Sequence, residues 1–131
     1  MLVTLPFIED RFREYNVLMF GGALPPLPIK LGRARTRLGS LGYSYRRRLL
    51  VKREMYNFHM RFSTYYDLPQ EVWEDVIIHE MIHYHLAITG QQDGTPHGKN
   101  FRRMMDEINT KYGRHLTVSI RDIRRWTSGN A

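Results

Sequence analysis

Cysteine is missing altogether from the 131 residues. That excludes disulfide bonds, thiol nucleophiles and thiolate metal sites, so any metal ion must be held by nitrogen or oxygen ligands. Acid is scarce too: 13 Asp and Glu face 20 Lys and Arg, giving a net charge of +7. No Asp or Glu occurs from residue 33 to 53. There is no internal repeat and no low-complexity linker. No apolar run follows a basic segment in the manner of a secretory signal, so a cytoplasmic setting is expected. The longest apolar stretch, about 21 residues, carries Glu74, Asp75, His79, Glu80 and His83, which rules out a membrane span. Hydrophobic residues at 42% and charged residues at 25% fit a globular chain with one core.

What is present is a run of unusual chemistry, His79-Glu80-Met81-Ile82-His83. Each helical residue advances about 100°, so side chains four apart lie nearly above one another. His79 and His83 can therefore aim two neutral nitrogens at one cation, with Glu80 close enough to act as a general base toward a water. The surrounding sequence predicts a buried helix. Pro69 suits the first turn, Glu71, Glu74 and Asp75 complement the positive end of the dipole, and Gly90 supplies a stop. Val72, Trp73, Val76, Ile77, Ile78, Met81, Ile82, Leu86, Ala87 and Ile88 cover nearly every face, as in a helix at the centre of a domain. The bland alternative is a pair of histidines on an ordinary amphipathic helix. It would leave ionisable groups in an apolar setting without partners.

A catalytic zinc usually takes three protein ligands. The metzincin pattern would need a glycine and a histidine where the chain has Leu86 and Thr89, so that subclass is excluded. The next histidine is His97, in Thr95-Pro96-His97-Gly98, at the mouth of a second amphipathic helix. That helix carries Phe101, Met104, Met105, Ile108 and Tyr112 at helical spacing and ends at Gly113. His97 is favoured as third ligand, with Glu107 on the second helix as its rival.

Taken together, His79-Glu80-Met81-Ile82-His83, the gap to His97-Gly98, Phe101 and Ile108-Asn109 resemble the SprT-like zinc metallopeptidase domain, which includes the Spartan proteases. The N-terminal helix leading into Phe20-Gly21-Gly22-Ala23-Leu24-Pro25 fits the same family. The resemblance implies one zinc per chain on His79, His83 and His97, Glu80 as catalytic base, and protein substrates at or near DNA, including DNA–protein crosslinks. Bacterial SprT proteins commonly add a cysteine-rich zinc ribbon; this sequence has none, so whatever that ribbon contributes is absent or supplied in another way.

The rest of the chain predicts an α+β fold of zincin type. A first helix is expected over Pro6 to Phe20, with Ile8, Phe12, Tyr15 and Met19 as its buried stripe. Strands follow at Ile29 to Arg33, Leu38 to Arg46 and Met55 to Ser63, the last with Tyr56, Phe58, Met60 and Phe62 on one face. A short final strand or arm is expected over Leu116 to Ile120. Three strands forming a small antiparallel sheet, followed by the active-site helix and a second packed helix, make a single domain over 1–131 with a basic C-terminal arm at about 116–131. An edge strand of the sheet could bind a substrate backbone.

Charge adds a second signal. Arg46, Arg47 and Arg48 fall at a hairpin turn, near Lys52 and Arg53, and Arg121, Arg124 and Arg125 with Trp126 form a basic arm. Phosphates are the natural counter-charge, so non-sequence-specific DNA contact through these eight residues is expected, with a nucleoid-associated or nuclear location in that case. The plainer reading is a solvated basic surface. Tyr112, His115 or an arginine are candidates to stabilise an oxyanion, and His59 and His85 are read as non-functional. The rival to a zinc-dependent endopeptidase is a nucleic-acid-binding module with a structural or vestigial zinc site. A zinc hydrolase acting on a non-peptide bond is a third reading.

Overall fold

The computed structural model describes residues 1–47 and 53–118. Helix α1 spans Leu5–Phe20 and is followed by strands β1 (Ile29–Gly32), β2 (Gly39–Arg47) and β3 (Arg53–Ser63). Two helices complete the described chain, α2 (Gln70–Ile88) and α3 (Lys99–Tyr112). The order is the expected α+β layout, with bounds within a residue or two of the sequence pattern. Helix α1 starts at a Thr4 cap whose hydroxyl accepts from the Phe7 amide, and ends at Gly21 with φ +62°, a left-handed stop that favours glycine. Ile8, Phe12, Tyr15 and Phe20 are its buried residues, while Met19 is only partly covered.

The sheet is mixed, with strand order β1-β3-β2. Strand β2 pairs antiparallel with β3, but β1 pairs parallel to it, Ile29 opposite Met60 and Leu31 opposite Phe62. The expected all-antiparallel sheet is corrected on this point. β3 inserts between the first two strands, so β1 runs beside a strand it does not follow in sequence. The period-two reading of β3 also fails at its start. Asn57 has φ +59° where the register slips between Gly42 and Ser44, a bulge that flips the faces. Phe58, Met60 and Phe62 turn inward as expected, whereas Tyr56 is exposed. Leu116 to Val118 forms no strand, and the remainder of that expected arm, like Arg48, Lys52, Arg121, Arg124, Arg125 and Trp126, lies outside the described residues.

Helix α2 is the centre of the core. Trp73, Ile77, Ile78, Met81 and Ile82 are all completely buried, against Ile8 of α1, Met60 and Phe62 of β3 and Phe101 of α3. Each such side chain contributes about 1.5–3 kcal/mol through removal from water. The acids predicted to favour the helix start also tie its neighbours down. Glu74 accepts from Arg11 of α1 at 2.8 Å, and Asp75 accepts from Arg114, just beyond α3, at 2.7 Å. No helix among the described residues is long and apolar enough to cross a membrane.

Candidate metal centre

Two consecutive turns of α2 and the entry to α3 bring three imidazoles together. The Nε2 atom of His79 lies 3.2 Å from that of His83 and 3.2 Å from that of His97. A tetrahedral cation with metal–nitrogen bonds of about 2.0–2.1 Å requires nitrogens about 3.3 Å apart, so the spacing fits. The Nδ1 of His79 lies 2.9 Å from the Thr117 carbonyl oxygen. A carbonyl only accepts, so Nδ1 carries the hydrogen and Nε2 keeps a bare lone pair. One lone pair cannot serve two N–H donors well; a cation shared by three lone pairs resolves the arrangement.

Phe101 forms the floor under all three rings. Its centroid stands 4.8 Å from His79, 4.5 Å from His83 and 4.8 Å from His97, and the ring is completely buried. Helix α3 reaches this position through Asp93. Its carboxylate accepts from the amides of Asn100 and Phe101 at 3.0 and 3.1 Å, capping a helix start that has no capping side chain of its own. A Cβ on Gly98 would meet the Asp93 Cβ at 2.5 Å, so the residue after His97 must be glycine for the cap to close. Burial and the neighbouring imidazoles push His79 down to about 3 and His83 to about 4. Burial also lowers His97, with Arg102 adding to the effect. All three therefore present neutral nitrogens at pH 7, the form a metal needs.

Glu80 lies on the cleft side of α2 but outside the imidazole cluster. It is 6% exposed, and burial raises its carboxyl to about 8, opposed by the charge of Arg37. No hydrogen bond to it occurs among the described residues. A bound cation would favour the carboxylate form. A Cβ added to Gly39 would come within 3.1 Å of both Glu80 Cγ and the Phe62 ring, so the start of β2 passes directly over the acid.

The cleft encloses about 1120 Å³ and is bordered on one side by β2, through Gly39, Ser40, Leu41 and Tyr43. Strand β2 is at the sheet edge. Of the remaining sequence candidates, Glu107 is exposed and outside the cleft, so it is no ligand here. Tyr112 donates its hydroxyl to the Leu18 carbonyl at 3.0 Å and does not line the cleft, which removes it as an oxyanion group. His115 is exposed and does line it. His85 contacts Phe20 instead, with its Nδ1 buried and unpaired, and His59 bonds its own strand at Asn57. Arg46 and Arg47 are exposed at the far end of β2, away from the histidines, and lie in the paired strand where a hairpin turn was expected; Arg46 pairs with Glu54 at 3.1 Å and stacks over Tyr56. Arg37, Gly39, Asp93 and the Thr117 carbonyl were not singled out from sequence. Asp93 stands six residues ahead of α3, outside the N-cap position that sequence would flag, and a backbone carbonyl carries no side-chain signal.

A search of the curated proteins gives no match. A family model does match, described as the SprT-like family and aligned with residues 8–122, which include all three histidines, Glu80 and the strand that borders the cleft. With most of its length so matched, the chain belongs to the SprT-like family.

Proposed function

We propose that this protein is a zinc-dependent endopeptidase. The observation that carries the reading is the convergence of three neutral imidazoles beside a buried, unbonded carboxyl in a cleft edged by a strand. His79, His83 and His97 would hold one zinc ion. When bound, it would supply Lewis acidity to a scissile carbonyl and lower the pKa of water in the open position. Glu80 takes the proton from the attacking water and returns it to the leaving amine. Its low exposure keeps bulk water from competing for that proton. The exposed edge of β2 pairs with an extended substrate backbone and lays it across the cleft. Arg37 and His115 line the cleft and are the proposed partners of negative charge developing on the substrate; Arg114, which also lines it, is engaged by Asp75 and Glu74.

The substrate class we propose is polypeptide at or near DNA, including DNA–protein crosslinks. Its support is the resemblance, the net charge of +7 and the acid-free stretch from 33 to 53. Arg46, Arg47 and Arg48 with Lys52, Arg53, Arg121, Arg124 and Arg125 are the proposed phosphate contacts. The competing reading, a nucleic-acid-binding module with a structural metal, leaves Glu80 without a task, since a structural site has no use for an unbonded buried acid. Metal analysis with a proteolysis assay, run with and without DNA on the wild type and Glu80→Gln, tests the proposal. One zinc and Glu80-dependent cleavage support it. DNA binding with no cleavage by the wild type would establish the module instead.

A further inference from the structure

Beyond α3 the chain turns at Gly113, with φ +64°, and comes back along α2. Two side chains fasten this return segment. Arg114 donates to Asp75 of α2 at 2.7 Å. Asn109 of α3 accepts from the Leu116 amide at 2.7 Å and donates to the Leu116 carbonyl at 3.1 Å. Leu116 offers a donor and an acceptor to one short side chain, and only an asparagine amide matches both at that reach. Both backbone groups of Leu116 therefore face α3. With Leu116 held on α3, the next carbonyl, that of Thr117, points to α2, where it meets His79 Nδ1 at 2.9 Å.

We infer that Asn109 is a positioning residue for the metal centre, acting through the Leu116–Thr117 backbone to fix the tautomer and orientation of His79. This rests on the metal-site part of the proposed function. The hydrogen on Nδ1 leaves Nε2 as the lone pair facing His83 and His97. Among the described residues, the Thr117 carbonyl is the acceptor that holds the hydrogen on Nδ1. The molecule carries its own comparison. Asn16 makes the same clamp on Leu24, at 2.9 and 3.0 Å, after the left-handed Gly21, but no histidine bonds the segment it holds. Asn16 therefore shows what the clamp does as a structural device alone.

Full-length Asn109→Ala, Asn109→Asp and Asn16→Ala would be compared with the wild type in three measurements. These are zinc affinity by chelator competition, proton position on each imidazole of the metal-free protein by long-range ¹H–¹⁵N NMR, and thermal melting. Both Asn109 variants are expected to bind zinc about ten- to a hundredfold more weakly, the range for loss of an outer hydrogen bond to a metal ligand. His79 loses its exclusive Nδ1–H form, while His83 and His97 are unchanged. Asn16→Ala lowers the melting temperature and leaves affinity and tautomer alone. Asn109→Asp keeps the acceptor for the Leu116 amide, so it serves if the alanine variant does not fold. Folded Asn109 variants that bind zinc as the wild type does, or that lose affinity with His79 still protonated on Nδ1, would overturn the inference. Should the wild type bind no zinc, the metal reading fails on its own, and the NMR comparison alone decides the positioning role.

Discussion

Gly39 leaves no room for a side chain beside Glu80: a methyl group on the glycine would stand 3.1 Å from the acid's Cγ and as close to the Phe62 ring. Phe62 is 1% exposed and has nowhere to retreat, so the side chain that gives way is Glu80. Gly39→Ala is expected to cost about 1–3 kcal/mol in stability through overpacking. Peptidase activity should fall further, by about tenfold or more, because the base leaves its working position. Zinc affinity should hold, since the histidines do not move. Parallel melting, zinc titration and kcat/KM measurements check this; activity loss that merely tracks stability would count against it.

Glu80→Gln preserves shape and removes the base. Zinc content and fold are expected to stay, and activity to drop by about 10²–10⁴-fold, the usual contribution of general base catalysis. Comparable turnover by the variant would remove Glu80 from the mechanism.

Ligand identity can be read by paired substitutions. His97→Ala should weaken zinc binding by more than about a hundredfold, beyond what loss of an outer hydrogen bond costs. Glu107→Ala should leave it unchanged, as expected of an exposed residue outside the cleft. The reverse outcome would reassign the third ligand.

The metal-free protein should have a stability maximum near neutral pH. His79 and His83 fall from 6.5 to about 3 and about 4 on folding, so as pH drops below 6.5 the unfolded chain gains protons the folded one refuses, and stability is lost. Glu80 rises from 4.5 to about 8 despite Arg37 nearby, so the folded state holds an extra proton across that window. Its contribution is present at low pH and lost as pH climbs toward 8. Below 6.5 the two histidines outweigh the single acid; above it only the acid acts. Melting curves from pH 5 to 9 in chelator test this, and zinc should flatten the alkaline limb by favouring the Glu80 carboxylate. A metal-free protein still gaining stability from pH 7 to 9 would contradict the assignment.

The basic surface makes a separate prediction. Replacing Arg46, Arg47 and Arg48 with Gln should weaken DNA binding and reduce the salt slope by about 0.7–0.9 for each phosphate no longer neutralised. Peptide cleavage without DNA should barely change, and DNA-stimulated cleavage should fall with binding. An unchanged slope by fluorescence anisotropy would make the cluster a solvated basic surface.

The parts of this molecule legible in sequence are those governed by local periodicity and by side-chain chemistry. Helix α2 announced itself because its apolar positions fill every face, and His97 could be placed because Gly98 and the run from Phe101 mark where α3 begins. Pairing was harder to read. The β1 motif Ile29-Lys30-Leu31-Gly32 alternates equally well beside a parallel or an antiparallel neighbour, and only the insertion of β3 decides it. Tyr56 was misplaced because a left-handed Asn57 resets the alternation, which composition does not signal. Glu80 was legible as a base, but the glycine pressed against it was not. That contact joins residues 39 and 80, and nothing local to either predicts it.

The loop between α2 and α3 gives the ion a mechanical part as well as a chemical one. One cation on His79, His83 and His97 would bridge two helices across the segment from 89 to 98. A crosslink closing a loop of about 15 residues removes on the order of 3 kcal/mol of disorder from the unfolded chain. With no cystine available, the metal would act as the fold's staple. Chelation should then do more than silence the reaction: it should loosen the junction of α2 and α3 and open the Phe101 floor to exchange with solvent.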